Sequence, residues 1–302
     1  MHIHVTTVVK NRAWVLPYFL GCLGQLDWPA EDLSFYFLDD MSTDGTGALL
    51  RGFQTAYAER FRAIVVEESG EQLDDATSAR DTTDRPRGYP HLAALRNRAL
   101  QSARDSDADY WLTIDSDILV VPSILRGLVD GHKNYLGSFI FNDSMGAIGI
   151  PIKGRIPNTG FIDQTGNLRP FKTYEFGNIY PCGYTGAVAL ANREAIHSGA
   201  EFAQHKFGED MPFCLQLQER GFPCHWDSTL RAVHVMESRL LPECLGVYLA
   251  WFGRVPPRFE IPPVIPIPPA IPAVDIPADG PEMAAQPTPS VKDVSDDQHD
   301  AA

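Results

Sequence analysis

Asp115 and Asp117 stand one residue apart at the end of an apolar run, Tyr110-Trp-Leu-Thr-Ile-Asp-Ser-Asp-Ile-Leu-Val-Val-Pro122. Two ionised carboxylates about 4 to 5 Å apart repel by roughly 4 kcal/mol at an effective dielectric of 20. A cation between them relieves that repulsion. An all-oxygen pair suits a hard divalent ion such as Mg²⁺ or Mn²⁺, which keeps waters and completes its shell with substrate phosphates. For the tripeptide alone a solvated turn is the simpler reading, so the weight falls on the rest of the chain.

A second acidic pair, Asp39 and Asp40, closes the apolar run Leu33-Ser-Phe-Tyr-Phe-Leu38. Ser42, Thr43 and Asp44 then offer cap oxygens to a helix whose apolar positions include Leu49, Leu50, Phe53 and Tyr57. In open α/β sheets ligands lie beyond the carboxyl ends of the strands, so two acidic strand ends can face one crevice. Between them, His91 to Ala103 has helical periodicity, with Leu92, Leu95, Ala99 and Leu100 forming one stripe. Arg96, Asn97 and Arg98 interrupt it. A guanidinium there suits phosphate oxygens, and a solvated helix face is the equal alternative.

Further on, Phe207 to Gly221 reads as a helix with Pro212 in its first turn and Gly221 as its stop. Glu209 and Asp210 open it, either as chemistry or as a plain N-cap. The strand-like Leu230 to Met236 sets His234 among apolar neighbours, the ordinary place for a satisfied core histidine.

Taken in chain order, these segments resemble the family 2-like glycosyltransferases of the GT-A fold over most of residues 3 to 236. Thr6 to Arg12 looks like the first strand and its Asn-Arg turn. Leu38-Asp-Asp-Met-Ser-Thr-Asp-Gly-Thr46 is similar to the nucleotide-binding turn of that family, with Met41 where glycine is usual. Leu95 to Leu100 matches the helix before the metal motif, and Asp115-Ser-Asp117 the Asp-x-Asp motif itself. Pro181 to Arg193 resembles the glycine-rich acceptor-side turn, and Gly208-Glu-Asp210 the x-Glu-Asp motif. No Gln-x-x-Arg-Trp follows Asp210, unlike the processive synthases.

The resemblance implies an α/β fold with a Rossmann-like, mixed, mainly parallel sheet flanked by helices. It also implies a metal-dependent hexosyltransferase moving a sugar from a nucleoside diphosphate-sugar to an acceptor hydroxyl with inversion. Thr7, Asn11, Arg12, Asp40, Arg96 and Asp115 would line the donor. Asp117, Asp115 and His234 would hold Mn²⁺ or Mg²⁺. Asp210, with Glu209 beside it, would be the base. The acceptor stays open among glycan, lipid, peptide and small molecule. Two rivals stand beside this reading: a nucleotidyltransferase, although Val9 to Trp14 lacks the glycine-rich phosphate loop, and a non-catalytic nucleotide-sugar-binding protein on the same scaffold.

Composition agrees with an α/β enzyme. The 302 residues are 44% hydrophobic, enough for a sizeable core. The net charge of −14 speaks against a nucleic-acid surface. It also means that an anionic donor needs local cations, which draws attention to Arg12 and Arg96. Five cysteines without zinc-type spacing suggest buried thiols and a reducing, cytoplasmic setting. No secretory leader is expected ahead of the first strand, and no apolar run reaches the 18 residues that a membrane span requires. Leu240 to Phe252 is expected to pack on the sheet, with a peripheral membrane contact through Tyr248, Trp251 and Phe252 as the alternative.

The expected domain is 1–254. Residues 255–302 carry half of the 24 prolines and read as an extended, disordered tail. Glu67 to Pro90 reads as a flap beside the nucleotide. The Asn142 to Gly186 segment, with Phe161, Phe171, Tyr174 and Tyr180, offers aromatic faces for an acceptor or a satellite core.

Overall fold

A computed structural model of the chain describes residues 1–70, 85–142, 159–162, 168–170 and 174–262. Most of the proposed flap, Phe171 and the chain beyond 262 lie outside these residues. Strands β1 (Ile3–Val9), β2 (Leu33–Asp39), β3 (Ala63–Glu68) and β4 (Tyr110–Ile114) pair in parallel in the order β3-β2-β1-β4. Their crossovers run through helices α1 (Leu16–Leu23), α2 (Thr46–Tyr57) and α3 (Arg85–Arg104). β1 and β2 are buried along nearly their whole length because helices cover both faces of a parallel sheet.

The sheet continues past β4. β5 (Ile118–Val120), α4 (Ile124–Asp130) and β6 (Tyr135–Phe141) follow in sequence, and β11 (Val188–Asn192) inserts antiparallel between β4 and β6. The short strands β7 (Thr159–Ile162), β8 (Leu168–Pro170) and β10 (Tyr184–Thr185) make a separate three-stranded sheet, while β9 (Ile179–Cys182) pairs with the main one. α5 (Arg193–Ile196) and α6 (Asp210–Glu219) precede β12 (Cys224–His234), which is parallel to β6 and antiparallel to β5. The main sheet is therefore mixed and mainly parallel, as the resemblance implied.

Helix α7 (Leu241–Phe252) closes the fold. Tyr248 is fully buried and its hydroxyl donates to Val120 O at 3.0 Å. Trp251 packs on Phe139 and Phe141, so this helix packs on the sheet. No helix among the described residues is long and apolar enough to cross a membrane. Tyr180 stacks on Trp226 and Tyr174 meets it edge-on, the two forming a satellite of the core, while Phe161 remains 41% exposed. All five cysteines are buried and free.

The packed chain does not end at residue 254. Phe259 is 6% exposed, its ring lies 5.4 Å from Phe53, and its N–H donates to Pro17 O at 2.7 Å. Pro257 passes so close to Gly21 that a Cβ there would sit 2.2 Å from its carbonyl oxygen. Proline blocks the sheet ladder but not side-chain packing, so the segment up to Pro262 straps α1 and α2 together. Phe259→Ala is expected to cost about 3 kcal/mol, the scale of removing a buried phenyl ring. Denaturant melts should show a fall in midpoint for this variant and for a chain stopped after Gly253, compared with a chain stopped after Pro262.

Candidate active site

Four strand ends, the start of α6 and the interior of α3 supply the chemistry. Asp39 and Asp40 end β2, and the loop that follows is held in shape by side-chain bonds to its backbone. Met41 has φ 51°, in the left-handed region, which explains why glycine suits this position and implies a cost of about 1 kcal/mol for methionine. Asp39 Oδ1 accepts from Ser42 N at 3.1 Å, keeping the turn closed. Asn11, also left-handed at φ 49°, is bridged to the same loop: its Oδ1 accepts from Thr43 N at 2.8 Å and its N–H donates to Ser42 Oγ at 2.9 Å. The first strand turn and the acidic turn are thus one structure, although 30 residues of chain separate them.

Asp40 is 3% exposed and carries three partners: Lys10 Nζ at 3.1 Å, Ser69 Oγ at 3.1 Å and His91 Nε2 at 3.0 Å. None of these three was singled out from the sequence as a site residue. They lie up to 51 positions away, and no local spacing links them.

Asp115 and Asp117 follow β4. The backbone positions them: Asp115 N donates to Ala187 O at 2.9 Å, and Asp117 O accepts from Val235 N at 2.8 Å. The second bond lays the end of β12 alongside Asp117, so His234 Nε2 comes within 3.1 Å of Asp117 Oδ1. Arg12 Nε reaches the other oxygen, Oδ2, at 3.2 Å. Asp115 turns the other way and accepts from Arg96 Nη2 at 2.7 Å. The cations that relieve the carboxylate repulsion within the protein are therefore two guanidiniums, one on each acid.

Arg96 is the hub of the acidic cluster. Besides Asp115, its Nε lies 2.7 Å from Glu209 Oε1 and its Nη1 3.8 Å from Asp210 Oδ1, and its plane covers the Phe202 ring at 5.7 Å. Burial opposes the charge, but Asp115, Asp210 and Glu209 outweigh it and hold the guanidinium well above its ordinary pKa. This corrects the expectation that Arg96 meets the diphosphate. It is 8% exposed and enclosed by three carboxylates, leaving Arg12 as the more accessible arginine. Asn97 fastens the same helix turn to Phe202 by a pair of bonds, N–H to Oδ1 at 2.8 Å and Nδ2 to the carbonyl at 2.9 Å.

Asp210 is the first residue of α6 and caps nothing; Glu209, in the cap position, makes no side-chain cap bond either. The plain N-cap reading therefore fails. Burial pushes the Asp210 carboxyl up to about 7, Arg96 draws it down, and Glu209 and Asp115 add to the rise. Gly186 faces it: a Cβ at that position would stand 2.3 Å from Asp210 Oδ2. Glycine is required there for room, and the next residue, Ala187, takes φ 67° to complete the turn. Thr7, expected at the donor, is instead enclosed within β1 at 2% exposure.

A divalent cation fits part of this arrangement. Both imidazole nitrogens of His234 are shielded from solvent without a hydrogen bond, because the 3.1 Å approach to Asp117 is off-line for one. Such a nitrogen beside a carboxylate oxygen is a donor pair suited to a metal. Asp115 does not join it, since Arg96 holds its carboxylate, and among the described residues no group of three or more His, Cys, Asp or Glu side chains is arranged to hold an ion.

Residues 2–145 match the model of the Glycosyltransferase family 25, N-terminal domain. Procollagen galactosyltransferase 2 of Mus musculus is 28% identical over 232 residues, 72% of this chain and 36% of its own length. The probable inactive glycosyltransferase 25 family member 3 of Bos taurus is 33% identical over 127 residues, 41% of this chain and 21% of its own length. The chain thus spans about a third or less of these relatives. Among solved structures, GalNAc-T7 with UDP, GalNAc and Mn²⁺ superposes with a TM-score of 0.56 at 14% identity, over 78% of this chain and 44% of that one. S. aureus TarS in complex with UDP-GlcNAc gives 0.51 at 16% identity, over 78% and 60%. The chain has the GT-A glycosyltransferase fold, and its first half is similar in sequence to family 25 rather than specifically to family 2.

Proposed function

We propose that this chain is a metal-dependent glycosyltransferase that moves a hexosyl group from a nucleoside diphosphate-sugar to an acceptor hydroxyl with inversion. The observation that carries the reading is the convergence of Asp117, flanked by Arg12 and His234, with the cluster of Asp115, Arg96, Glu209 and Asp210 at the carboxyl ends of β4 and β12. That is where an open α/β sheet binds ligands.

In this reading the Asn11–Ser42 turn and Asp40 receive the nucleoside, and Lys10 and Arg12 face its diphosphate. Asp117 and His234 would hold a divalent cation, whose Lewis acidity stabilises the leaving diphosphate. Asp210 takes the proton of the acceptor hydroxyl as the new glycosidic bond forms and the bond to the diphosphate breaks. Pushed up to about 7, this carboxyl is a better base than an exposed aspartate and is about half ionised near neutrality. Arg96 keeps it in place and holds Asp115 apart from it. The murine relative's name puts a galactosyl donor first for testing.

Asp117→Asn is expected to abolish Mn²⁺-dependent release of nucleoside diphosphate from a panel of nucleotide-sugars and to weaken nucleoside diphosphate binding in the presence of Mn²⁺. Equal Mn²⁺-dependent binding by the folded variant would remove the metal assignment. The name of the bovine relative favours a second reading, a non-catalytic nucleotide-sugar-binding protein. Donor binding without turnover by the wild-type chain would establish that reading, and release of pyrophosphate would point to a nucleotidyltransferase.

A further inference from the structure

A cavity of about 280 Å³ opens where the bulge of β12 meets the start of α4 and the end of α7, lined by Val121, Ile124, Leu230, Arg231, Trp251 and Phe252, with the hydroxyl residues Ser123 and Thr229 at its wall. Arg231 precedes His234 by three positions in the regular part of the strand, so the alternation of side chains places the two on opposite faces. The cavity is thus separate from the candidate active site.

Several arginines of this chain are paired with acids. Arg12, Arg62, Arg96, Arg98, Arg126 and Arg239 each have a carboxylate within ion-pair distance. Arg231 has neither an ion pair nor a hydrogen bond among the described residues, and its Nε is shielded from solvent without a partner. Its guanidinium lies 4.8 Å from the Phe176 ring and 5.1 Å from the Trp251 ring instead. In a chain with 39 acidic residues, the absence of a carboxylate here is not for want of supply. Aromatic rings stabilise a cation through their faces but accept none of its N–H groups, so the planar fork keeps its donors for a ligand.

We propose that this cavity binds a small organic monocarboxylate, an apolar body bearing one anionic group, with Arg231 as its anion partner. A planar carboxylate accepts two parallel N–H bonds from one guanidinium. Val121, Ile124, Leu230 and Phe252 supply the apolar wall for the body. The single cation compensates one negative charge; a phosphate dianion would leave the second charge against apolar side chains. The volume falls just below the range of about 300–1,000 Å³ usual for drug-sized ligands, which limits the guest to a short chain or one ring.

The test is calorimetric titration of the full chain with benzoate and hexanoate, using benzamide and phenyl phosphate as comparisons. Saturable binding of both carboxylates is expected, with benzamide at least about tenfold weaker because it lacks the charge. R231Q, checked for an unchanged melting curve, should lose at least about tenfold in carboxylate affinity. R231K, which keeps the charge and lacks the fork, should fall between the two and serves as the variant if glutamine unfolds the chain. Absence of saturable binding, equal binding of benzamide, tighter binding of phenyl phosphate than of benzoate, or unchanged affinity in the arginine variants would each overturn the proposal.

Discussion

Asp210→Asn is expected to lower kcat by about 10² to 10⁴, the usual range for loss of a general acid or base, while leaving nucleotide and Mn²⁺ affinity near those of the wild type. Asparagine keeps the shape against Gly186, where a Cβ could not fit, and removes only the capacity to accept a proton. Because neither Asp210 nor Glu209 caps α6, a fall in rate cannot be ascribed to a lost helix cap. The wild-type profile adds a second signature. With the carboxyl raised to about 7 by burial, the ionised fraction of the base, and with it kcat, should fall about tenfold per pH unit below that value and level off above it. Asparagine should flatten this acid limb. Near-wild-type turnover with the limb intact would remove Asp210 from the chemistry. Glu209 would be a poor substitute, being 4% exposed and 2.7 Å from Arg96 Nε.

What the sequence revealed and what it hid divide along the distance between partners. The acidic strand ends were readable because an apolar run ending in carboxylates is a local pattern, and their order along the chain pointed to the GT-A fold. Met41 could be seen as a departure from glycine, but its left-handed backbone could not be inferred from its neighbours. The three partners of Asp40 come from separate elements, and the carboxylates on Arg96 come from the turn after β4 and the start of α6, up to 114 positions from it, so periodicity carries no trace of them. Arg96 was read as a phosphate ligand because a guanidinium in an acidic chain with an anionic substrate invites that reading. Folding placed acids around it first. Phe259 was lost among prolines, where composition overrode a single buried ring.

Arg96→Leu should destabilise the fold by about 3–5 kcal/mol, the scale of removing one partner from a buried ion pair. The substitution retains apolar contact with Phe202 and strands three carboxylates, Asp115, Glu209 and Asp210, with no cation between them. A purely structural filler would show the same loss at every pH; an electrostatic hub would not. Arg96 draws the Asp210 pKa downward, so its removal should push that pKa above 7. A carboxyl whose folded pKa lies above its unfolded value adds stability that is fully present below the unfolded pKa and is lost as pH rises through the folded one. For Asp210 that window runs from the ordinary aspartate value of 3.8 to about 7 in the wild type and extends further upward in the variant. Denaturant melts should therefore show the gap between variant and wild type narrowing as the pH is lowered, and the acid limb of any residual turnover should shift toward higher pH. Arg96→Lys, which restores the charge without the fork, should recover the position of the limb more fully than the stability. A gap independent of pH, with an unmoved limb, would show that the guanidinium fills space at the crevice and does not set the basicity of Asp210.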